Sequence, residues 1–370
     1  MRVAIIHYDD ALSPGGINTN IRETFQGLLR KGVDAHIIQP KSKVEDKIRN
    51  HSNFHELVSP KLSPPLNLSP ALIRSLKDTI RQIDPDIIHV HSHMNLLSHS
   101  IIRSLSKNFP IIPIVFSPHL DVAISSRFAR PLFSLFNRTL GRKTLGRVSS
   151  IIFNSQFEMK AYEKSVMNVR IPFRIIPPGI FSTGTMSIKK WESDLKILYF
   201  GHFVRRKRVD RIISMFRSLL DSPLFEGVNL RLEICGSGPE EKNLHNLSES
   251  LGLENNIAWM PFLNREKLVE KIQNVNYFAL LSDSEAYAIS VAESLSLGTP
   301  VIGSNLAALS EYHSTPGAFL FDNPEDYEEI SRVIAEHRGM EIVIGPTGGN
   351  ISSNQQSLES HFELYSSVKS

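Results

Sequence analysis

One pattern recurs twice along this chain and limits its fold more than any other: short β-branched runs alternate with amphipathic helical segments. Strands that read as near-continuous apolar runs are buried on both faces, and helices between them cover a parallel sheet. The first series of expected strands is 3–7, 35–39, 87–91, 111–116, 151–154 and 174–176. The second opens at 196–201 and continues through 230–235, 257–260, 277–281, 301–303 and 317–321. A chain of 370 residues exceeds what one hydrophobic core usually serves. The reading is therefore an α/β protein of two Rossmann-like domains, 1–185 and 190–350, facing each other across a cleft. The aperiodic, Ser- and Thr-bearing stretch 181–194 is the expected linker, and 355–370 carries helical spacing at Leu358, Phe362, Leu364 and Tyr365.

Composition excludes several classes. Cys235 is the single cysteine and sits in an apolar strand pattern, so neither a disulfide framework nor a cysteine-based zinc site is available, and a reducing, cytoplasmic setting fits. The opening Met-Arg-Val-Ala-Ile-Ile-His reads as a strand from the start, so no export leader is expected, and no apolar run reaches the roughly 18 to 20 residues that span a bilayer. The net charge of +3 conceals an asymmetry. Residues 1–185 hold 24 of the 41 Lys and Arg but 13 of the 38 Asp and Glu, so the front half is basic and the back half acidic. Either the two halves have unrelated solvated surfaces, or the front half meets something anionic.

The residues able to do chemistry gather where expected strands end. After the first strand, Ser13-Pro14-Gly15-Gly16 leads into a helix near Asn18. Paired glycines allow close backbone approach and a helix N-terminus offers unpaired N–H groups to an anion, although such a turn has steric uses too. The G-x-G-x-x-G fingerprint of nicotinamide enzymes is missing there, as is a ribose-binding acid after the second strand. In the second half, Gly201 is followed by His202, Arg205, Arg206, Lys207 and Arg208, five basic or ionisable groups where a phosphate would sit; the alternative is an exposed basic turn. Gly236 and Gly238 end the next strand in a glycine turn. The segment 282–300 reads as strand end, loop with Glu285, helix with Glu293 and a stop at Gly298. An acid in the last turn of a helix opposes the helix dipole, which suggests that Glu293 has a task beyond solvation, such as accepting from the two hydroxyls of a ribose.

Glu285 and Glu293, separated by seven residues and followed by Gly298-Thr299-Pro300-Val301, resemble the E-x7-E signature of retaining GT-B glycosyltransferases, family 4 in particular. The likeness extends through Gly15-Gly16, Ile87-Ile88-His89-Val90-His91, Ser117-Pro118-His119, Phe153-Asn154-Ser155, Ile176-Pro177-Pro178-Gly179 and 201–207. It implies a GT-B fold whose final helix crosses back to the first domain. It also implies that Glu293 holds the donor ribose, Glu285 sits beside the transferred sugar, Lys207 neutralises the departing diphosphate and Gly16 contacts it. His119 would lie near the reacting carbon, and the N–H groups of Ala288 and Ile289 would face the phosphate or sugar. His202, Arg205, Arg206, Gly236 and Gly238 join the expected donor site, and Gly15, Gly16, Asn18, His91 and His93 the acceptor site. Two departures stand out: His202 replaces a frequent arginine, which Arg205 or Arg206 would have to supply, and Arg208 and Ala288 replace frequent glycines.

The activity implied is transfer of a hexose-type sugar from a nucleotide diphosphate sugar to a hydroxyl of a lipid-linked or glycan acceptor, as in cell-envelope polysaccharide synthesis, with no metal or other cofactor and no nucleic acid. Transfer builds negative charge on the leaving phosphate, which fixed cations and helix dipoles stabilise. The alternatives are a nucleotide-sugar epimerase on the same fold and a non-catalytic nucleotide-sugar-binding subunit. Asp84-Pro85-Asp86 is expected to be a turn rather than a metal-binding pair. His89, His91 and His93 alternate and share a face, without a cysteine or nearby fourth ligand to make a metal site. Finally, 127–147 sets Arg127, Arg130, Arg138, Arg142, Lys143 and Arg147 around Phe128, Leu132, Phe133, Phe136 and Leu140. A helix starting near Pro131 would be either core-facing with a basic rim or a peripheral contact to an anionic membrane.

Overall fold

The computed structural model describes residues 1–7, 10–13, 15–41, 47–57, 69–92, 96–119, 137–166, 171–181, 185–345 and 351–369. The chain divides into two compact units, Met1–Gly179 with Asn354–Ser370, and Ile180–Ser353.

The first unit is built from β1 (Arg2–His7), α1 (Gly16–Arg30), β2 (Asp34–Pro40), β3 (Phe54–Leu57), α2 (Pro70–Ile83), β4 (Ile87–His91), α3 (Leu96–Asn108), β5 (Ile114–Ser117), β6 (Ser150–Phe153), α4 (Gln156–Val166) and β7 (Phe173–Ile175), closed by the C-terminal helix Asn354–Lys369. Its seven-stranded sheet runs β3-β2-β1-β4-β5-β6-β7, and the pairings between neighbours are parallel. Val3, Ala4 and Ile5 are wholly buried because helices cover both faces of the sheet, each large aliphatic side chain contributing about 1.5–3 kcal/mol. On one face Leu72, Leu76, Ile80 and Ile102 pack under the strands; on the other Ile21, Phe25, Leu28, Leu364 and Tyr365 do. The C-terminal helix lies against α1 at Gly27, where an added Cβ would come 2.8 Å from Leu358. Helix α2 starts cleanly, with Ser69 accepting from the Leu72 N–H at 3.0 Å and Pro70 in its first turn. It ends at Asp84, and Asp86 accepts from the Arg2 N–H at 2.7 Å and pairs with Lys369 at 3.0 Å, so Asp84-Pro85-Asp86 is a helix stop and a strand anchor.

The second unit repeats the plan: β8 (Asp194–His202), α5 (Val209–Asp221), β9 (Asn229–Ser237), α6 (Glu241–Ser250), β10 (Ile257–Met260), α7 (Arg265–Gln273), β11 (Tyr277–Leu280), α8 (Ile289–Ser296), β12 (Val301–Ser304), β13 (Ala318–Phe321) and α9 (Tyr327–Glu336). Its six-stranded sheet is ordered β10-β9-β8-β11-β12-β13, again parallel, and Ser187–Lys189 pairs antiparallel with Ile342–Ile344 apart from it. Val209, Ile212, Ile213, Phe216 and Leu219 form the buried stripe of α5, the three-and-four spacing that turns one helical face to a sheet. In both sheets the order reverses beside the first strand, between β1 and β4 and between β8 and β11. Crevices at the carboxyl ends of such strands are where α/β sheets bind ligands.

Strand β3 has no counterpart among the expected strands. Its four residues, Phe-His-Glu-Leu, include no β-branched side chain, and as an edge strand it depends on pairing with β2 and burial of Phe54 and Leu57. Of the expected basic helix near Pro131, residues 127–136 lie outside the described residues. From Asn137 the chain makes one wide helical turn and then a short helix, Arg142–Leu145. Arg138, Arg142, Lys143 and Arg147 are exposed, while Thr144 and Leu145 are buried.

Candidate active site

In the second unit, β8 delivers the chain to Gly201 and His202, and a single 3-10 turn, Arg205–Lys207, follows. The Arg206 carbonyl accepts from the Asp283 N–H at 2.9 Å, which ties this turn to the loop after β11. Glu285 in that loop is buried, with Lys207 Nζ at 2.6 Å from one carboxylate oxygen and Arg206 Nη1 at 3.4 Å from the other. A second cationic layer holds both loops. Arg211 pairs with Asp283 at 2.6 Å and Glu325 at 2.8 Å, and donates to the Leu281 carbonyl at 3.1 Å; Arg208 adds contacts to Asp210, Asp283 and Glu325.

Glu293 lies in the interior of α8 and is only 6% exposed. Burial pushes its carboxyl above the usual range, opposed by the guanidinium of Arg265, which forms an ion pair with Oε1. Ala288 caps the start of α8 with φ 64° and ψ 60°, and Arg208 does the same for α5 with φ and ψ both 48°. Both positions therefore use the left-handed region that favours glycine, the physical reason a glycine suits either one. The helix that Ala288 opens begins at Ile289, and its first N–H groups lack intrahelical acceptors.

The remaining second-unit residues divide. Gly236 pairs in register with Gly201, and a Cβ on it would meet the Gly201 carbonyl oxygen at 1.9 Å, so its immediate role is to let two strand ends approach. Gly238 is likewise pressed against Phe203. His202 is exposed, its ring edge-on to Phe262 at 4.9 Å. Of the two arginines expected near the donor, Arg206 reaches Glu285, whereas Arg205 lines a different cavity of about 430 Å³ with Arg208, Asp210, Glu240, Asn243 and Asp283.

In the first unit the corresponding strand ends carry imidazoles. His89 and His91 alternate on β4 and are both buried, with ring centroids 3.9 Å apart. His89 Nδ1 is 2.6 Å from the Tyr365 hydroxyl and Nε2 is 2.9 Å from Ser117 Oγ. His91 Nδ1 is 2.9 Å from His119 Nε2, and His119 Nδ1 is 3.1 Å from Asn154 Nδ2. With the Asn154 amide donating, His119 carries its proton on Nε2 and donates it to His91. His91 Nε2 is then a buried N–H without a partner among the described residues. Desolvation pushes His89 and His91 well below the ordinary histidine value, so both are neutral at pH 7. His119 adopts φ 42°, the left-handed region that a residue with a side chain enters only at a steric cost. Nearby, His7 Nε2 is 3.0 Å from Asn18 Oδ1, which sets Asn18 beside the end of β1; Gly15 caps α1, and Gly16 is its first residue. His93 lies outside the described residues. Among those residues there is no cluster of His, Cys, Asp and Glu that could hold a metal ion, and no helix is long and apolar enough to cross a membrane.

Two family descriptions match consecutive stretches of the chain: Glycosyltransferase Family 4 over residues 14–181 and Glycosyl transferases group 1 over residues 186–337. The chain belongs to the group 1, family 4 glycosyltransferases. The fold of this transferase is GT-B. It is similar to the N-acetyl-alpha-D-glucosaminyl L-malate synthase of Bacillus anthracis, at 22% identity over 84% of this chain and 80% of that protein. Among solved structures, sucrose-phosphate synthase from Thermosynechococcus elongatus matches with a TM-score of 0.78 at 17% identity, covering 99% of this chain and 98% of that one. HepE of Anabaena, solved with UDP-glucose, matches with a TM-score of 0.70 at 15% identity over 98% and 99% of the two chains.

The sequence alone missed several groups that shape the transferase's site. Arg265 reaches Glu293 from another helix, Arg211 and Asp283 brace the Lys207 loop, and Tyr365 meets His89 across 276 residues of chain. Asn154 stood in a recognised segment, but its contact with His119 bridges two strands. None of these pairings leaves a periodic signal.

Proposed function

We propose that this glycosyltransferase is a retaining enzyme that moves a hexose-type sugar from a nucleotide diphosphate sugar to a hydroxyl of a lipid-linked or glycan acceptor. The observation that carries this reading is the pairing of Lys207 and Arg206 with buried Glu285, beside the topological switch of the second sheet. A departing diphosphate requires positive charge fixed in advance, and these two cations supply it without reorganisation. The N-terminus of α8 adds N–H groups at Ala288 and Ile289. Glu293 accepts from the donor ribose, and Glu285 neighbours the transferred sugar. His119, held by His91 and Asn154, contacts the sugar near the reacting carbon. Gly16 and Asn18 belong with the phosphate and the acceptor at the start of α1. The solved complexes of HepE with UDP-glucose, and of the pneumococcal O-GlcNAc transferase GtfA with UDP and GlcNAc, support a nucleotide-sugar donor.

Transfer then proceeds on one face of the sugar. The C1–O bond to the diphosphate breaks with its electron pair leaving on the phosphate, and an oxocarbenium-like sugar is shielded by that same phosphate. The acceptor hydroxyl attacks from the departing side and passes its proton to the leaving phosphate oxygen. With Lys207 and Arg206 balancing the charge, no metal is required. The exposed Arg138, Arg142, Lys143 and Arg147 favour contact with an anionic membrane surface that presents the acceptor.

The test is nucleotide diphosphate release from UDP-, GDP- and ADP-sugars, with and without membrane lipid extract and with EDTA present, comparing the native protein with Glu293→Ala. Release that needs the extract, persists in EDTA and disappears in the variant is expected. Product of inverted anomeric configuration overturns the mechanism, and conversion of the donor without any acceptor makes the protein an epimerase. Co-sedimentation with liposomes that is indifferent to anionic lipid removes the membrane contact.

A further inference from the structure

Glu293 and Arg265 pose a question that the reaction chemistry leaves open. The carboxylate is buried inside α8, yet it pairs with an arginine whose side chain is 42% exposed and belongs to a different helix, α7. Arg265 is the first residue of α7, directly after Asn264, whose side chain accepts from the Lys267 N–H at 3.0 Å and fixes where that helix begins. The guanidinium therefore leaves a rigid helix start and approaches Glu293 from the solvent side. It meets only Oε1, through Nη1.

An ionised carboxylate has about four lone-pair sites. One arginine N–H and two hydroxyl donors fit on it together, so the ion pair and a ribose diol are compatible. A carboxyl that is buried and left alone drifts toward its neutral form, which gives up an acceptor site and gains a donor. A cation at the mouth of the site opposes that drift and also fixes the carboxylate plane.

We propose that Arg265 is a positioning residue for the donor nucleotide: it clamps one oxygen of Glu293 so that the carboxylate is presented to the two hydroxyls of a ribonucleoside diphosphate. This rests on the assignment of Glu293 to the ribose. It makes selectivity for ribose over deoxyribose a property of the pair rather than of Glu293 alone. The opposite function for the same contact is a cover that occupies Glu293 and must be displaced before nucleotide enters.

The experiment measures, by calorimetry on the full-length protein, the affinity for whichever of UDP, GDP and ADP binds, and for its 2′-deoxy counterpart. The native protein is expected to favour the ribonucleotide about tenfold, the worth of one hydrogen bond to a charged group. Arg265→Met, which keeps an apolar stem, should weaken ribonucleotide binding about tenfold and bring the ribose-to-deoxyribose ratio near one. Arg265→Lys should restore part of the ratio. Equal or tighter binding by Arg265→Met with the ratio unchanged overturns the clamp and makes Arg265 a cover. Glu293→Ala separates the two readings. If it abolishes the ratio while Arg265→Met does not, this inference alone fails; if it leaves both affinity and ratio intact, the ribose assignment fails and the clamp falls with it.

Discussion

The two units share one architecture and use opposite electrostatics. In each, a parallel sheet reverses its order beside the first strand, and polar side chains gather at the carboxyl ends of the strands there. At those ends the first unit places imidazoles linked ring to ring and to Tyr365, Ser117 and Asn154, of which His89 and His91 are held neutral by burial. The second places full charges, Lys207 and Arg206 on Glu285 and Arg265 on Glu293. A doubly wound sheet thus fixes where chemistry happens and leaves its kind to a few side chains. Buried neutral groups can be desolvated at modest cost when hydrogen-bonded, whereas buried carboxylates need cations or hydrogen-bond donors against them, as Glu285 and Glu293 have cations and Glu158 the Asn154 N–H.

The largest effect should come from breaking the charged side. Lys207→Ala is expected to lower kcat by about 10²- to 10³-fold, as removal of a fixed transition-state charge partner does, and to lower the thermal midpoint as well, because the buried Glu285 carboxylate loses its nearer cation. A loss confined to KM in steady-state kinetics would place Lys207 in ground-state binding instead.

Acid should strike the neutral side first. His89, His91 and His361 all have folded-state values depressed by burial. Unfolding therefore takes up protons, and the stability these rings contribute is complete above about pH 6.5 and is lost as pH falls from there through their folded values. Each such ring contributes a slope of about 1.4 kcal/mol per pH unit within that window. Hydrogen exchange at pH 7 and pH 5 should show protection falling more in β4 and the C-terminal helix than in β8 and β9. Equal losses in both units would erase the contrast.

Tyr365→Phe sharpens the same comparison by removing one partner of a buried imidazole, at an expected cost of about 1–3 kcal/mol measured by urea unfolding. The smallest effect concerns backbone rather than charge. Ala288→Gly should stabilise the second unit by about 1 kcal/mol, because glycine enters the left-handed conformation without a steric penalty. An unchanged or lowered midpoint in thermal unfolding would show that the flexibility gained by the unfolded chain offsets the relief.

Much of this was legible in the chain itself. Ile87–His91 and Ile257–Met260 stand as read, because a short, largely apolar run flanked by helical segments has few other uses in a parallel sheet. The spacing of Glu285 and Glu293 fixes one in a loop and the other on the following helix, and the basic run after Gly201 announces a cationic turn. What escaped was pairing. Arg206 and Arg205 are adjacent and chemically identical, yet one reaches Glu285 and the other lines a separate cavity, because a tight 3-10 turn points successive side chains in different directions.

The sequence by itself determined the two parallel sheets except for edge strand β3, the order of the other strands along the chain and the set of groups available at their ends, since those follow from local periodicity and residue type. Only the tertiary structure decided that His119 is held by His91 and Asn154, that Tyr365 closes on His89 and that Arg265 answers Glu293. Each of these joins elements far apart in the chain, and their contact is set by the packing of helices and strands, for which the sequence carries no local record.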